Sequence, residues 1–347
     1  EFFPELHPTE GTYAGLKEEM TRSQALASLF SLIQLVRNDY EGFTRPQGLQ
    51  SRLSYASWNE LQGFVQWACL DVDMLISVMV FLAVRPLGKI KAVVQQLPRE
   101  NRGPEQAVFY MARRNFRICP SCSYLDETGQ DYLLSLMAAC VEFNLGQFIQ
   151  AEGVPASLES LQSLDTRVLQ AYLMSAVAVM CGIQGGRGGS SMWGSAFLNE
   201  INGRVFVESL SCLRLLGSTS PHGIFWGYLN TRATWLGVPM ETDEQLALVR
   251  LLVLARATDA KDMTEVKSAW DQLPETSRQV ITEHFVADGV TTKAFVLIFL
   301  PLCIVNARKN AAIGLQSFLE MMADLFEQLV MHGCHLATED TITVDLK

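Results

Sequence analysis

The residues best suited to chemistry in this chain are two cysteines, a run of arginines and a cluster of glycines. Cys119-Pro-Ser-Cys122 spaces two thiols so that they can share a metal or close a reversible disulfide, with proline stiffening the turn between them. A structural zinc site needs four ligands, and the only other compact set is His332, Cys334 and His335, about 210 residues further along. A redox role needs a strand entering the motif and a helix leaving it. Here an arginine-rich helical stretch enters, and Gly129 follows closely. The favoured reading of Cys119 and Cys122 is therefore a tight turn with two ordinary thiols, with zinc and thiol redox as alternatives.

Just upstream, Ala112–Arg117 reads ARRNFR. Helical spacing puts Arg113 and Arg117 one turn apart on one face, with Arg114 to the side, an arrangement that can grip a carboxylate or phosphate. The bland alternative is a solvated face. Gly185-Gly-Arg-Gly-Gly-Ser-Ser191 offers backbone N–H groups around Gly186, Arg187 and Gly188 that can converge on an anion. It lacks the Lys-Ser/Thr ending of a P-loop, and a helix rather than a strand precedes it, so it is no dinucleotide fingerprint. A flexible connection is the favoured reading.

Other catalytic signatures are missing. The five histidines form no HExxH, and there is no G-x-S-x-G elbow. Glu283-His284 reads as a partly exposed helix pair. Glu320, Asp324 and Glu327 read as a solvated helix side, because no E-x-x-H accompanies them. Enzyme activity is accordingly left open, with the balance against it.

The elements that must position these residues are helices. Of the 347 residues, 49% are hydrophobic, enough for a sizeable core. Thr242–Gln245 and Ser57–Glu60 match capping boxes, and Ser220-Pro221 places a cap before proline at the first helical position. Gly153, Gly237, Gly289 and Gly333 each follow an apolar run, where a helix C-terminus needs a left-handed residue. Residues 310–332 carry an apolar stripe at i, i+3, i+4, i+7, while Leu246–Leu254 is apolar nearly all round. Strands are expected only at Val205–Val207 and Thr341–Leu346, the latter alternatively a loose tail.

The fold expected is all-α: some eleven to thirteen helices in a large bundle or bihelical array over 12–333, followed by a C-terminal tail at 334–347. An internal duplication is a further option. The strings at 91–109 and 267–285 align without gaps and share Lys, Gln, Leu, Pro, Arg and Phe. Halves 12–183 and 190–333 would then join at the glycine-rich segment.

Charge bounds the partners. The net charge of −10 argues against nucleic acid and anionic membranes. The sum hides an asymmetry: the window 85–117 is +6 and the remainder −16. Met74–Val84, Tyr172–Ile183 and Ala294–Val305 are apolar but shorter than the ~20 residues of a membrane-spanning helix, so they are read as core helices. Eight dispersed cysteines suit a reducing, cytoplasmic compartment. The functional expectation is a non-enzymatic scaffold that docks an acidic protein on 85–117. The alternative is an enzyme or sensor holding a phosphate- or carboxylate-bearing ligand between the glycine-rich loop and the arginines.

Overall fold

The computed structural model describes residues 3–6, 16–183, 194–290, 295–310, 312–332 and 342–346. It is an all-α, multi-helix fold, 73% helical. Its helices, in chain order, are α1 Leu16–Val36, α2 Tyr40–Thr44, α3 Tyr55–Ala68, α4 Val72–Val84, α5 Lys91–Val94 and α6 Pro104–Arg114. They continue with α7 Glu127–Glu142, α8 Leu145–Ile149, α9 Glu159–Gln162, α10 Thr166–Cys181 and α11 Glu200–Leu213. The last six are α12 Pro221–Leu236, α13 Asp243–Leu254, α14 Ala260–Asp271, α15 Glu275–Ala287, α16 Leu300–Lys309 and α17 Gly314–Met331. The number exceeds the sequence expectation because α2, α5, α8 and α9 are only four or five residues long. Pieces that short fall below the periodicity a sequence pattern can register.

The described chain divides into two compact units. The first comprises residues 1–143 and 163–211, the second 144–162 and 212–347. In the first unit α4 and α10 pack on each other and on α1 and α7, and α3 also packs on α10. Val78, Ala83, Val84, Leu173, Val177 and Ala178 are fully buried there, so α4 and α10 are core helices, as their apolar runs imply. In the second unit α13 packs on α12, α14, α15 and α16, and α17 packs on α14, α15 and α16. Every residue from Val249 to Leu254 is buried, as expected of a helix surrounded by others.

Several helix ends form as the sequence implies. Thr242 and Gln245 make a reciprocal capping box. Ser220 accepts from Gly223 N, with Pro221 at the first position of α12. Gly237 closes α12 at φ 63°, and Gly289 follows α15 at φ 72°. Elsewhere the structure corrects the sequence reading. Ser54, not Ser57, caps α3: its hydroxyl accepts from Ser57 N at 3.2 Å, and the carboxylate of Glu200 accepts from Ser54 N at 2.6 Å. Val205–Val207 lies inside α11, not in a strand. The turn before Gly153 places its left-handed residue at Ala151, φ 54°. Gly333 lies outside the described residues.

The largest departure is at Ala294–Val305. Phe295–Ile298 forms strand β1, Phe299 turns the backbone at φ 72°, and α16 begins at Leu300 with Pro301 in its first turn. Ile342–Asp345 forms β2, which pairs parallel to β1 with Phe295 opposite Ile342. Val296 and Ile298 pack with Val154 and Ala156.

The two similar strings differ in local structure. Residues 267–285 run through α14, break at Leu273-Pro274 and restart as α15. Residues 91–109 form the four-residue α5, a 3-10 turn at Arg99–Asn101 and the start of α6.

Among the described residues no single helix is long and apolar enough to cross a membrane. Tyr55–Ala68 and Val72–Lys89 pass that test only together, and they are bent by 113°.

Candidate functional site: a basic face and two buried thiols

The basic segment is a chain of short elements hung on one contact. Arg85–Lys89 is a 3-10 turn, and its Gly88 meets the start of α6 so closely that a Cβ there would lie 1.9 Å from the carbonyl oxygen of Pro104. Only hydrogen fits. α6 then buries Ala107, Val108, Met111 and Ala112, leaving Arg113 and Arg114 exposed in its last turn, where the helix dipole favours cations. The expected helical pairing of Arg113 with Arg117 is not formed. Asn115 leaves the helix in extended conformation (φ −164°), and its side chain accepts from Arg117 N at 3.0 Å to start a new 3-10 turn. Arg117 is exposed beyond the helix.

Not every charge in the segment is free. Arg85 pairs with Glu105 at 2.8 Å, both about three-quarters buried. Arg102 donates to the carbonyl oxygens of Leu97 (3.0 Å) and Gln95 (3.4 Å). Arg114 reaches the Tyr110 hydroxyl at 3.3 Å. Lys89, Lys91, Arg99, Arg113, Arg114 and Arg117 are all exposed, and none is in an ion pair among the described residues. The Lys89 ammonium is held below its ordinary pKa, first by desolvation and then by the Arg85 charge beside it.

Cys119 and Cys122 lie directly after this face and are fully buried. Cys122 N donates to Cys119 O at 2.9 Å, which closes the 3-10 turn Pro120–Tyr124. The turn is sealed by Glu5, itself 7% exposed. Its carboxylate accepts from Ser121 N at 2.7 Å and from Ser121 Oγ at 2.5 Å. The Cys122 pKa is raised well above the ordinary thiol value, first by its hydrogen bond with Cys119 and then by burial. Among the described residues no group of three or more His, Cys, Asp or Glu is arranged to hold a metal. His332 is exposed beyond α17, and Cys334 and His335 lie outside the described residues.

Gly186, Arg187 and Gly188 also lie outside the described residues. Their flanks are tightly fixed. A Cβ on Gly182 would lie 2.4 Å from Gln24 O, and one on Gly194 would lie 2.5 Å from Phe43 O. Ser195 Oγ donates to Cys181 O at 3.3 Å, which ties the two flanks together.

Sequence reading missed a set of buried charges in the second unit. Arg250, 4% exposed on α13, donates from Nε to Ala151 O (3.1 Å), from Nη1 to Phe285 O (3.0 Å) and from Nη2 to Gly153 O (3.1 Å). Its guanidinium lies 4.7 Å from the centre of the Phe285 ring, and burial lowers its pKa to about 10. Asp288, 3% exposed, accepts from Phe295 N at 3.1 Å and meets His284 Nδ1 at 3.1 Å. Glu152, 8% exposed, accepts from Phe299 N at 2.5 Å, and burial raises its pKa. The one available signal was Arg250 itself, a lone charge inside an otherwise apolar run. These groups tie backbone to backbone, which marks them as structural.

Comparison with curated proteins and with solved structures gives no match. A family model does match, over residues 14–331, and on that span the chain belongs to the family of unknown function DUF6829.

Proposed function

We propose that the protein is a non-enzymatic helical interaction module that docks an acidic protein partner on the face built from residues 85–117. The observation that carries this reading is the set Lys89, Lys91, Arg99, Arg113, Arg114 and Arg117, exposed and without ion pairs among the described residues, in a chain whose net charge is −10. An acidic chain has carboxylates to spare for its own cations. Left unpaired, the six give a local positive field that steers an acidic surface into register. Nucleic acid fits less well, because the negative remainder of the molecule repels a long phosphate backbone.

The test is capture of poly-glutamate and of cellular partners by the intact chain and by the variant Arg113→Gln/Arg114→Gln/Arg117→Gln. Capture that falls with added salt for the parent chain, and that is lost in the variant, supports the reading. Equal capture by both at low salt overturns it.

A further inference from the structure

The thiol pair lies beneath a cover drawn from the start of the chain. Pro4–Leu6 forms a single 3-10 turn that packs on the Pro120–Tyr124 turn and on α4. Its grip on the cysteine motif is Glu5, whose carboxylate takes both the backbone and the hydroxyl donor of Ser121. The same carboxylate is close enough to Cys122 for its charge to act on that thiol. Leu6 is buried beside it. Around this cover the motif lies at the surface, with Pro120, Ser123 and Tyr124 exposed.

Cys119 and Cys122 are placed to react with each other. The bond from Cys122 N to Cys119 O makes them the first and last residues of a tight turn. Such a turn holds its end Cα atoms within about 7 Å, and a disulfide spans about 4.4–6.8 Å. The two side chains already meet in a hydrogen bond between the thiols. Every described cysteine is free. Distance is therefore no obstacle to a disulfide, and access is: closure needs an oxidant at one sulfur, and both are fully buried. The cover on the Glu5 side is a three-residue turn near the chain terminus. Releasing so short an element costs far less than opening α4, α6 or α7.

We propose that Glu5 gates a redox switch: Cys119 and Cys122 stay reduced while Glu5 holds Ser121, and close to a disulfide with a peroxide when that turn is released. One sulfur, as thiolate, attacks a peroxide oxygen. The O–O bond breaks, a sulfenic acid forms, and the departing hydroxide takes up the proton that the thiol gave up. The second sulfur then attacks the sulfenic sulfur. The S–S bond forms, the S–O bond breaks, and the leaving hydroxide takes the second proton. Two thiols and one peroxide thus give one disulfide and two waters. Cys119 N also donates to Phe116 O at 3.0 Å, so the disulfide closes at the end of the turn that carries Arg117. The switch stands on its own geometry and does not rest on the docking reading.

The experiment exposes the purified full chain, reduced and freed of reductant, to hydrogen peroxide at neutral pH. Samples are quenched with N-ethylmaleimide at intervals, and peptide mapping follows the peptide that contains Cys119 and Cys122. Glu5→Ala is expected to lose two hydrogens from that peptide about tenfold faster than the parent, or more, and dithiothreitol to restore them. Glu5→Ala/Cys122→Ser is expected to show no such loss. Circular dichroism checks that each variant is folded. Should Glu5→Ala fail to fold, Ser121→Ala removes only the hydroxyl donor, and a smaller acceleration is expected. A folded Glu5 or Ser121 variant that forms the disulfide no faster than the parent overturns the proposal. So does oxidation that stops at sulfenic or sulfinic acid, or that joins either thiol to a different cysteine.

Discussion

Arg250 shows how a single side chain can replace secondary structure. The carbonyls of Ala151, Gly153 and Phe285, the last in the final turn of α15, all accept from one guanidinium. Arg250→Ala is expected to cost about 3–5 kcal/mol, because it leaves buried carbonyls unpaired and opens a cavity. Urea denaturation monitored by far-ultraviolet circular dichroism measures this. Glu152 allows a test of sign. Burial raises its folded pKa, so its contribution is fully present below the ordinary carboxylate value and is lost as pH rises through the folded value. Glu152→Gln mimics the protonated form. It should equal or exceed the parent in stability at neutral pH, and the difference should close on acidification below that window. Arg250 was legible only as a lone charge in an apolar run and Glu152 not at all, since partners such as Ala151 and Phe299 announce nothing by type. The basic run was legible, because charge excess is a local property. The departure of Arg117 from the helix was not, because it depends on Asn115 choosing to cap the next turn.

At the level of elements, caps and amphipathic stripes were the readable part. Thr242 with Gln245, Ser220 with Pro221, and the stripe that became Gly314–Met331 all depend on neighbours a few residues apart. The strand at Phe295–Ile298 was read as helix because its partner Ile342–Asp345 lies beyond two intervening helices, and no local pattern records so distant a pairing. The approach of Gly88 to Pro104 belongs to the same class of hidden contact. Gly88→Ala must displace a backbone carbonyl, since the Cβ would lie 1.9 Å from it. The expected outcome is a loss of about 1–3 kcal/mol with faster amide exchange in α6, read by hydrogen–deuterium exchange. Weakened docking of acidic partners should accompany it if α6 carries the docking face.

For the whole molecule, the thiols report on global opening. Cys69 is exposed, whereas Cys119, Cys122 and Cys181 are buried and Cys140 is half-buried, and desolvation pushes Cys140 and Cys181 up to about 12. Of the described buried or half-buried thiols, these four should resist alkylation at neutral pH until the fold opens, while Cys69 labels at once. Mass spectrometry after timed iodoacetamide treatment tests this, and rapid native labelling of Cys140 would count against the packing described. Composition made the helical class readable, whereas only three of the seven described cysteines are buried. It could not show how the chain is shared between two units.

That sharing bears on how the protein is made. Residues 144–162 belong with 212–347, not with the residues on either side of them. The side chain that holds the Ala151 and Gly153 carbonyls is Arg250, which leaves the ribosome roughly a hundred residues later. At about 5–20 residues per second, that segment waits on the order of 5–20 seconds for its anchor. During the interval Leu145, Phe148, Val154 and Leu158, all buried in the finished fold, have no final place to pack. Synthesis of this chain therefore includes a vulnerable interval at a defined point, when a holding chaperone would have a specific apolar stretch to cover.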